Sequence, residues 1–363
     1  SLSLMVTLGH YSLLIALLTT GWAVVASSLA FTGMGRGFQK SAERGVIAAT
    51  LMILVAVIAL EHGFLTDNFA LDYVYHYSST SQPIQYKIGA LWGGQSGSLL
   101  LWLFMLAAMA TVMVLTNRNK NRTLMPMATA VVSVTMLFFL ILVNFIESPF
   151  VLSEMRPDGV GLNPQLKNYW MMIHPPCLYL GYVGFTIPFA FAMSALATRR
   201  TGDVWFRTTR RWTLFSWFFL GIGILMGSYW AYIELGWGGY WAWDPVENAS
   251  FLPMLAGTAY LHLAVLQERR RLFRIWSPFL LCLAFFLTIF GTFLTRSGMI
   301  ASVHAFARSS MGIYFVVYMA LIAAVTFALI GWRLPRLRTG NRIDALLSRD
   351  FVFLLFNWLM MAM

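Results

Sequence analysis

The chain has 363 residues, of which 59% are hydrophobic and 11% charged, and its mean hydropathy is +0.70. That balance excludes a soluble globular domain, in which about 25% of residues are charged. The net charge of +11 does not point to nucleic acid, because the cations cluster between apolar runs instead of forming one continuous face.

Runs of about 20 apolar residues cross a hydrocarbon core of about 30 Å as helices. In chain order they are read at 8–31, 45–65, 97–116, 125–146, 174–198, 212–233, 249–267, 276–296 and 311–332. A tenth run begins near Phe351 and stops at Met363. At about 1.5 Å per residue it reaches only about 20 Å, too short to cross. The expectation is therefore an all-α, polytopic helical membrane protein, a single membrane domain over 1–363. It has nine complete spans and a tenth cut short, with part of the machine missing beyond Met363. The first run is too long, and lacks the basic leader, for a cleavable signal peptide.

Twenty of the 25 basic residues lie in alternate connections, from Arg36, Lys40 and Arg44 through Arg118, Lys120 and Arg122 to the arginine groups after the fifth, seventh and ninth runs. The positive-inside rule places those connections in the cytoplasm and the N-terminus outside. The outer connections, 66–96, 147–173, 234–248 and 297–310, hold the remaining Lys87, Arg156, Lys167, Arg296 and Arg308, and they carry the motifs. Cys177 and Cys282 fall inside spans with no C-x-x-C and read as small buried apolar residues.

The first outer motif is the Gly/Trp segment at 89–98, Gly-Ala-Leu-Trp-Gly-Gly-Gln-Ser-Gly-Ser. In the second, His174 precedes Pro175-Pro176. A residue before proline favours extended backbone and proline suits a first helical turn, so His174 is expected at the mouth of the fifth span. The third is the loop 234–254, where Trp237, Tyr240, Trp241 and Trp243 crowd together beside Gly236, Gly238 and Gly239. Flat aromatic faces on a permissive loop suit a large planar ligand such as a porphyrin, while interfacial belts account for most other tryptophans. Asp244-Pro245-Val246-Glu247 reads as a helix start, with Asp244 at N-cap, Pro245 at N1 and Glu247 reaching back, so no acid/base pair is assigned.

His304 lies in the fourth outer connection. With His174 it offers two outer imidazoles suited to the two faces of a haem, the alternative for each being an ordinary hydrogen-bonding residue. That ordinary reading is preferred for His10, His62 and His76. Arg296, at the outer end of a span, suits either a haem propionate or snorkelling toward lipid headgroups. His262 lies roughly 20 Å into the seventh span, a depth at which ionisable groups face a partner, a cavity or a cofactor.

These residues resemble a known family. Trp-Gly-Gly-Tyr-Trp-Ala-Trp-Asp-Pro-Val-Glu-Asn-Ala (237–249) is similar to the tryptophan-rich WWD signature of haem-handling proteins, in the form carried by cytochrome c maturation protein F (the CcmF/NrfE family). The segments 91–102, 168–176 and 293–306 match its other outer motifs. The resemblance implies a haem lyase component of the bacterial System I pathway in the inner membrane, with its functional loops facing the periplasm. It further implies that a CcmE-type chaperone brings haem, that a CcmH-type protein handles the apocytochrome thiols, and that the vinyl groups join Cys-x-x-Cys-His of apocytochrome c. By the same resemblance His174 and His304 are ligands of the outer haem, and His262 is one ligand of a second, membrane-embedded haem b. The other ligand of that haem would lie beyond residue 363. Cys177 and Met254 stand where the family pattern leads one to expect Met and Trp.

Three rival readings exist. A transporter predicts ionisable groups meeting at the midplane, and only His262 qualifies. A b-type electron-transfer protein shares His262 but leaves the aromatic loop unexplained. A non-catalytic haem-binding scaffold within the same assembly differs from a lyase only in where the chemistry resides.

Overall fold

The computed structural model describes residues 2–200, 203–270, 274–306 and 310–337, together with 351–352, 355–356 and 359. Most of the run expected from Phe351 lies outside the described residues, as does Arg308. The described residues give no support to the expectation of a further segment beyond Met363.

The long helices are α1 (Leu2–Phe31), α2 (Arg36–Leu65), α5 (Gln95–Asn117), α6 (Met125–Ile141), α7 (Tyr169–Gly184), α8 (Thr186–Thr198), α9 (Asp203–Glu234), α10 (Pro245–Arg270), α11 (Trp276–Ser297) and α12 (Met311–Leu337). Two short helices, α3 (Asp72–Tyr77) and α4 (Ile84–Gly89), lie between α2 and α5. No strand occurs among the described residues beyond an isolated antiparallel bridge between Leu71 and Leu152. The chain is a polytopic helical membrane protein. Eight helical segments are long and apolar enough to cross a bilayer, with α7 and α8 together forming one of them. The expected span at 249–267 lies inside α10, whose 26 residues reach about 39 Å. It is long enough to cross, but Glu247, Asn248, His262 and Gln267 lower its apolarity.

One subset packs α1 against α2 and α6, and α2 against α5; the other joins α7 to α9, α9 to α10, α10 to α11 and α11 to α12. Helix α8 ties the two together through α6, α9 and α11. Every residue of α8 from Thr186 to Leu196 is buried, as expected of a helix that is apolar all round. The α7–α8 break at Phe185 has a local cause, since Pro188 has no N–H to offer the carbonyl of Gly184.

Two outer connections that read as separate loops fold together. The Asp72 N–H donates to the Val151 carbonyl at 3.0 Å, Ser153 N–H to Ala70 at 2.9 Å and Val160 N–H to Tyr75 at 2.8 Å. Lys87 pairs with Asp67 at 2.6 Å and Arg156 with Asp72 at 3.2 Å, so these two cations are matched by local carboxylates. The Asp158 carboxylate accepts from the Thr80 N–H at 2.9 Å and the Thr80 hydroxyl at 3.0 Å. The result is a folded cap over one end of the bundle, beside Gly93, Gly94 and the start of α5.

Candidate functional site

Beneath that cap lies a cavity of about 280 Å³, bordered by α5, α7, α9, α10, α11 and the connection that follows α11. His174, His304 and Arg296 all line it, with Trp92, Trp102 and Trp230 among its aromatic walls. Residues far apart in sequence, two of them paired in the sequence reading, therefore share one space.

His174 departs from the expected geometry. Helix α7 starts at Tyr169, because the Asn168 side chain caps it by accepting from the Trp170 N–H at 2.8 Å. The helix then runs through Pro175 and Pro176, so His174 sits in its second turn and is helical, not extended. Pro175 cannot donate to the carbonyl of Met171, and the Trp92 indole N–H takes that carbonyl at 3.3 Å. A tryptophan from the Gly/Trp motif thus repairs the backbone one turn from the histidine.

The His174 Nδ1 lies 2.7 Å from the Gly223 carbonyl. A carbonyl only accepts, so Nδ1 carries the proton and the neutral ring keeps its lone pair on Nε2. Glycines on α9 make this contact possible. A Cβ at Gly223 would stand 2.7 Å from the Leu178 backbone nitrogen, and one at Gly227 would stand 2.5 Å from His174 Cε1. Small residues four apart on α9 let the two backbones approach closely, the packing membrane helices favour.

His304 is held differently. Its Nδ1 lies 3.2 Å from Oδ2 of Asp244, and the same oxygen accepts from Ser302 Oγ at 2.7 Å. The His304 N–H donates to Ser302 Oγ at 3.0 Å, and the Trp230 ring stands 6.0 Å from the imidazole. The carboxylate fixes the Nδ1–H tautomer and again leaves the lone pair on Nε2. Asp244 also does what its sequence position predicts. Its Oδ2 caps α10 by accepting from the Val246 N–H at 3.0 Å, while Glu247 Oε2 reaches back to Asp244 N–H at 3.3 Å and Ala242 N–H at 2.9 Å. Burial raises the Asp244 carboxyl, but hydrogen bonds from His304 and Ser302 outweigh it and hold the group below its ordinary value of 3.8. The stabilisation it gives is therefore full above that ordinary value and is lost as pH falls through the depressed one. Sequence reasoning found the cap and missed the link to His304, because nothing in the chain order joins residue 244 to residue 304.

Arg296 does not snorkel. It is 1% exposed, donates to the Gln95 carbonyl at 3.0 Å and lies 5.0 Å over the Phe306 ring. Glu147 sits at the same end of the bundle; burial raises its carboxyl, opposed by a Gln95 hydrogen bond and by the Arg296 charge.

The aromatic loop stands apart from the cavity lining. Tyr240 is 54% exposed and Trp243 73%, with Tyr240 stacked on Tyr232 at 4.5 Å and Trp241 edge-on to Trp243 at 6.4 Å. Within this loop Trp243 takes a positive φ of 58° and Gly238 one of 69°. The residues at the loop's two ends, Leu235 and Val246, do line the cavity, so the loop springs from its rim. His262 is outside the cavity; it is exposed on α10, with Nδ1 at 3.0 Å from its own Thr258 carbonyl.

Against this geometry, the sequence profile described as cytochrome C assembly protein matches residues 92–301, which takes in Trp92, His174, Asp244 and Arg296. The chain belongs to that family. It is 40% identical over 352 residues to the cytochrome c-type biogenesis protein CycK of Rhizobium meliloti, covering 96% of this chain and 52% of that protein. It is likewise 40% identical over 356 residues to CcmF of Pseudomonas aeruginosa, covering 96% and 54%. A solved structure of the cytochrome c heme lyase CcmF superimposes with a TM-score of 0.82 at 30% identity, covering 99% of this chain and 55% of that one. Within the cytochrome c assembly family the chain thus groups with its CcmF, CycK and NrfE members, as its motifs imply. It spans about half the length of the curated relatives it matches.

Proposed function

We propose that this chain holds substrate haem between His174 and His304 and presents it, as part of a haem lyase, to the Cys-x-x-Cys-His thiols of an apocytochrome c. One observation carries this reading. Two histidines from distant segments line one cavity, each with Nδ1 engaged by an acceptor and Nε2 left as the donor atom for a metal. The donor chemistry fits haem iron. The volume falls just under the ~300–1,000 Å³ of small-molecule sites, so a macrocycle fits only with an edge beyond the cavity, toward the exposed loop.

Each side chain then has a role. His174 and His304 orient the ring, and buried Arg296 supplies a fixed positive charge beside them for a propionate. Trp237, Tyr240, Trp241 and Trp243 offer aromatic faces at the rim for the projecting edge and for the incoming peptide. Adding a thiol S–H across a vinyl double bond makes a C–S bond and leaves the proton on the neighbouring carbon, with no leaving group and no net oxidation. Such a step gains most from proximity and orientation, which is what this site provides. A CcmE-type donor and a CcmH-type thiol handler are the partners this reading requires, at the periplasmic face of a bacterial inner membrane. The twenty clustered cations then lie on the cytoplasmic side. His262 contributes a single imidazole away from the cavity, not the pair that a low-spin haem b takes, so no step is routed through a second haem.

The attachment test uses the full-length protein, haem and a Cys-x-x-Cys-His peptide, with and without partners. Thioether product from the chain with haem alone supports a lyase, whereas product only with another subunit present assigns the chemistry to that subunit. A second result concerns placement of His174. Gly227→Ala drives a methyl group into the imidazole, and haem retention is expected to fall roughly 10–100-fold with the helical signal unchanged. Gly221→Ala on the same helix meets only Met254 Cε, at 3.6 Å, and should bind as the parent does. Equal binding by both variants, measured by haem titration, would remove the close α7–α9 approach from the account.

A further inference from the structure

A second cavity, of about 890 Å³, lies at the opposite end of the bundle from the aromatic loop. It is bordered by the α1–α2 turn, the α5–α6 connection and the end of α8; the 32 residues of α9 that separate this end from the loop span about 48 Å. Arg36, Lys40, Arg44, Arg118, Arg122 and Arg200 line it, against the single carboxylate of Glu43. Glu43 is buried and accepts from Gln39 Nε2 at 3.0 Å, and that amide also reaches Thr129 of α6 at 3.3 Å, which fixes the wall between α2 and α6. None of the six cations is in an ion pair with a carboxylate of the described residues. At the other end, by contrast, Lys87 and Arg156 are each paired.

The positive-inside rule explains why cations lie at this end, but not why three separate connections converge them on one cavity. Two further features define the ligand. Helix α2 opens onto the cavity with Gly35 at its N-cap, no side-chain cap and no acidic residue in its first turn, so its positive end adds to the field. The lining also has an apolar part, formed by Phe31, Ile47, Met125 and Pro126. A phosphate alone would satisfy the cations and leave that part wet. An amphiphile satisfies both.

We propose that this cavity is a binding site for an anionic phospholipid, with the phosphodiester among the arginines and the first acyl carbons against Phe31, Ile47 and Met125. Basic cavities between membrane helices on this side recognise such headgroups by charge and shape. Occupancy would clamp α1, α2, α5, α6 and α8 at this end without touching the histidine cavity.

The full-length protein, stripped of lipid in a neutral detergent, is titrated with phosphatidylglycerol, phosphatidylcholine and inorganic phosphate and followed by native mass spectrometry. Saturable binding of phosphatidylglycerol is expected, with phosphatidylcholine and free phosphate at least tenfold weaker. Arg36→Gln, Arg118→Gln and Arg122→Gln together should weaken it about 100-fold. Lys120→Gln, a cation of the same connection outside the lining, should not. Phosphate binding as tight as the lipid would overturn the lipid assignment in favour of a soluble anion. Equal binding of phosphatidylglycerol and phosphatidylcholine, or an unaffected triple variant, would overturn the site. Should the triple variant misfold, Arg122→Glu alone is tested, and unchanged lipid binding there overturns the proposal as well.

Discussion

His174→Ala is expected to strip the histidine cavity of the proposed haem while leaving the bundle assembled. The variant loses one hydrogen bond to the Gly223 carbonyl, worth about 1 kcal/mol, and the glycine-mediated contact of α7 with α9 persists through Leu178. On the proposed reading, the haem would lose a ligand held on a rigid helix. Removing a group merely hydrogen-bonded to a metal ligand costs about 10–100-fold in affinity, and removing the ligand should cost more. The check is haem content after purification, alongside helicity by circular dichroism and cytochrome c yield in cells. Wild-type haem content in a correctly folded variant would mean that His174 is only a packing residue.

The second large effect falls on Asp244. One oxygen of this carboxylate accepts from His304, Ser302 and the Val246 N–H, so a single group starts α10 and aims the histidine. Asp244→Ala removes both functions. Loss of the cap should cost about 1 kcal/mol of stability, and loss of the His304 acceptor should weaken haem binding roughly 10–100-fold. Asp244→Asn separates the two, because asparagine caps about as well as aspartate but offers no negative charge. Its stability should stay near that of the parent, while the bound haem becomes easier to reduce, since a less anionic partner makes His304 a weaker donor to ferric iron. The measurement is a spectroelectrochemical titration beside a thermal melt. An unchanged potential with an unchanged melt would confine Asp244 to local structure.

The two histidines also differ in kind. His174 leans on a neutral carbonyl and His304 on a carboxylate, so His304 is the stronger donor of the pair. If the two hold substrate haem as proposed, the arriving histidine of an apocytochrome is expected to displace His174 more readily than His304.

Much of the fold was legible because a membrane forces long apolar runs into helices, and these ends were marked. The run at 125–146 is α6 with its terminal π turn, and 276–296 and α11 (Trp276–Ser297) differ by one residue. The Asp244–Glu247 cap was readable because it is local, with all four residues in one turn. What was not legible depends on contacts across the chain. The cap built from 66–92 and 147–163 is joined by backbone bonds such as Asp72 to Val151, which carry no side-chain signature. The rule that a residue before proline is extended failed at His174, because the Asn168 cap and the Trp92 bond to Met171 offset the two prolines. The aromatic loop drew attention as a ligand platform, yet the tryptophans lining the cavity are Trp92, Trp102 and Trp230, each carried on a different segment.

The most direct test of paired ligation is the absorption and electron paramagnetic resonance of ferric haem bound to the full-length protein, compared with His174→Gly and His304→Gly. The account predicts a low-spin six-coordinate signal in the parent, lost in each variant and restored in each by added imidazole. A low-spin signal that persists unchanged in either variant would show that the deleted histidine does not bind the iron, and the pairing of His174 with His304 would be wrong.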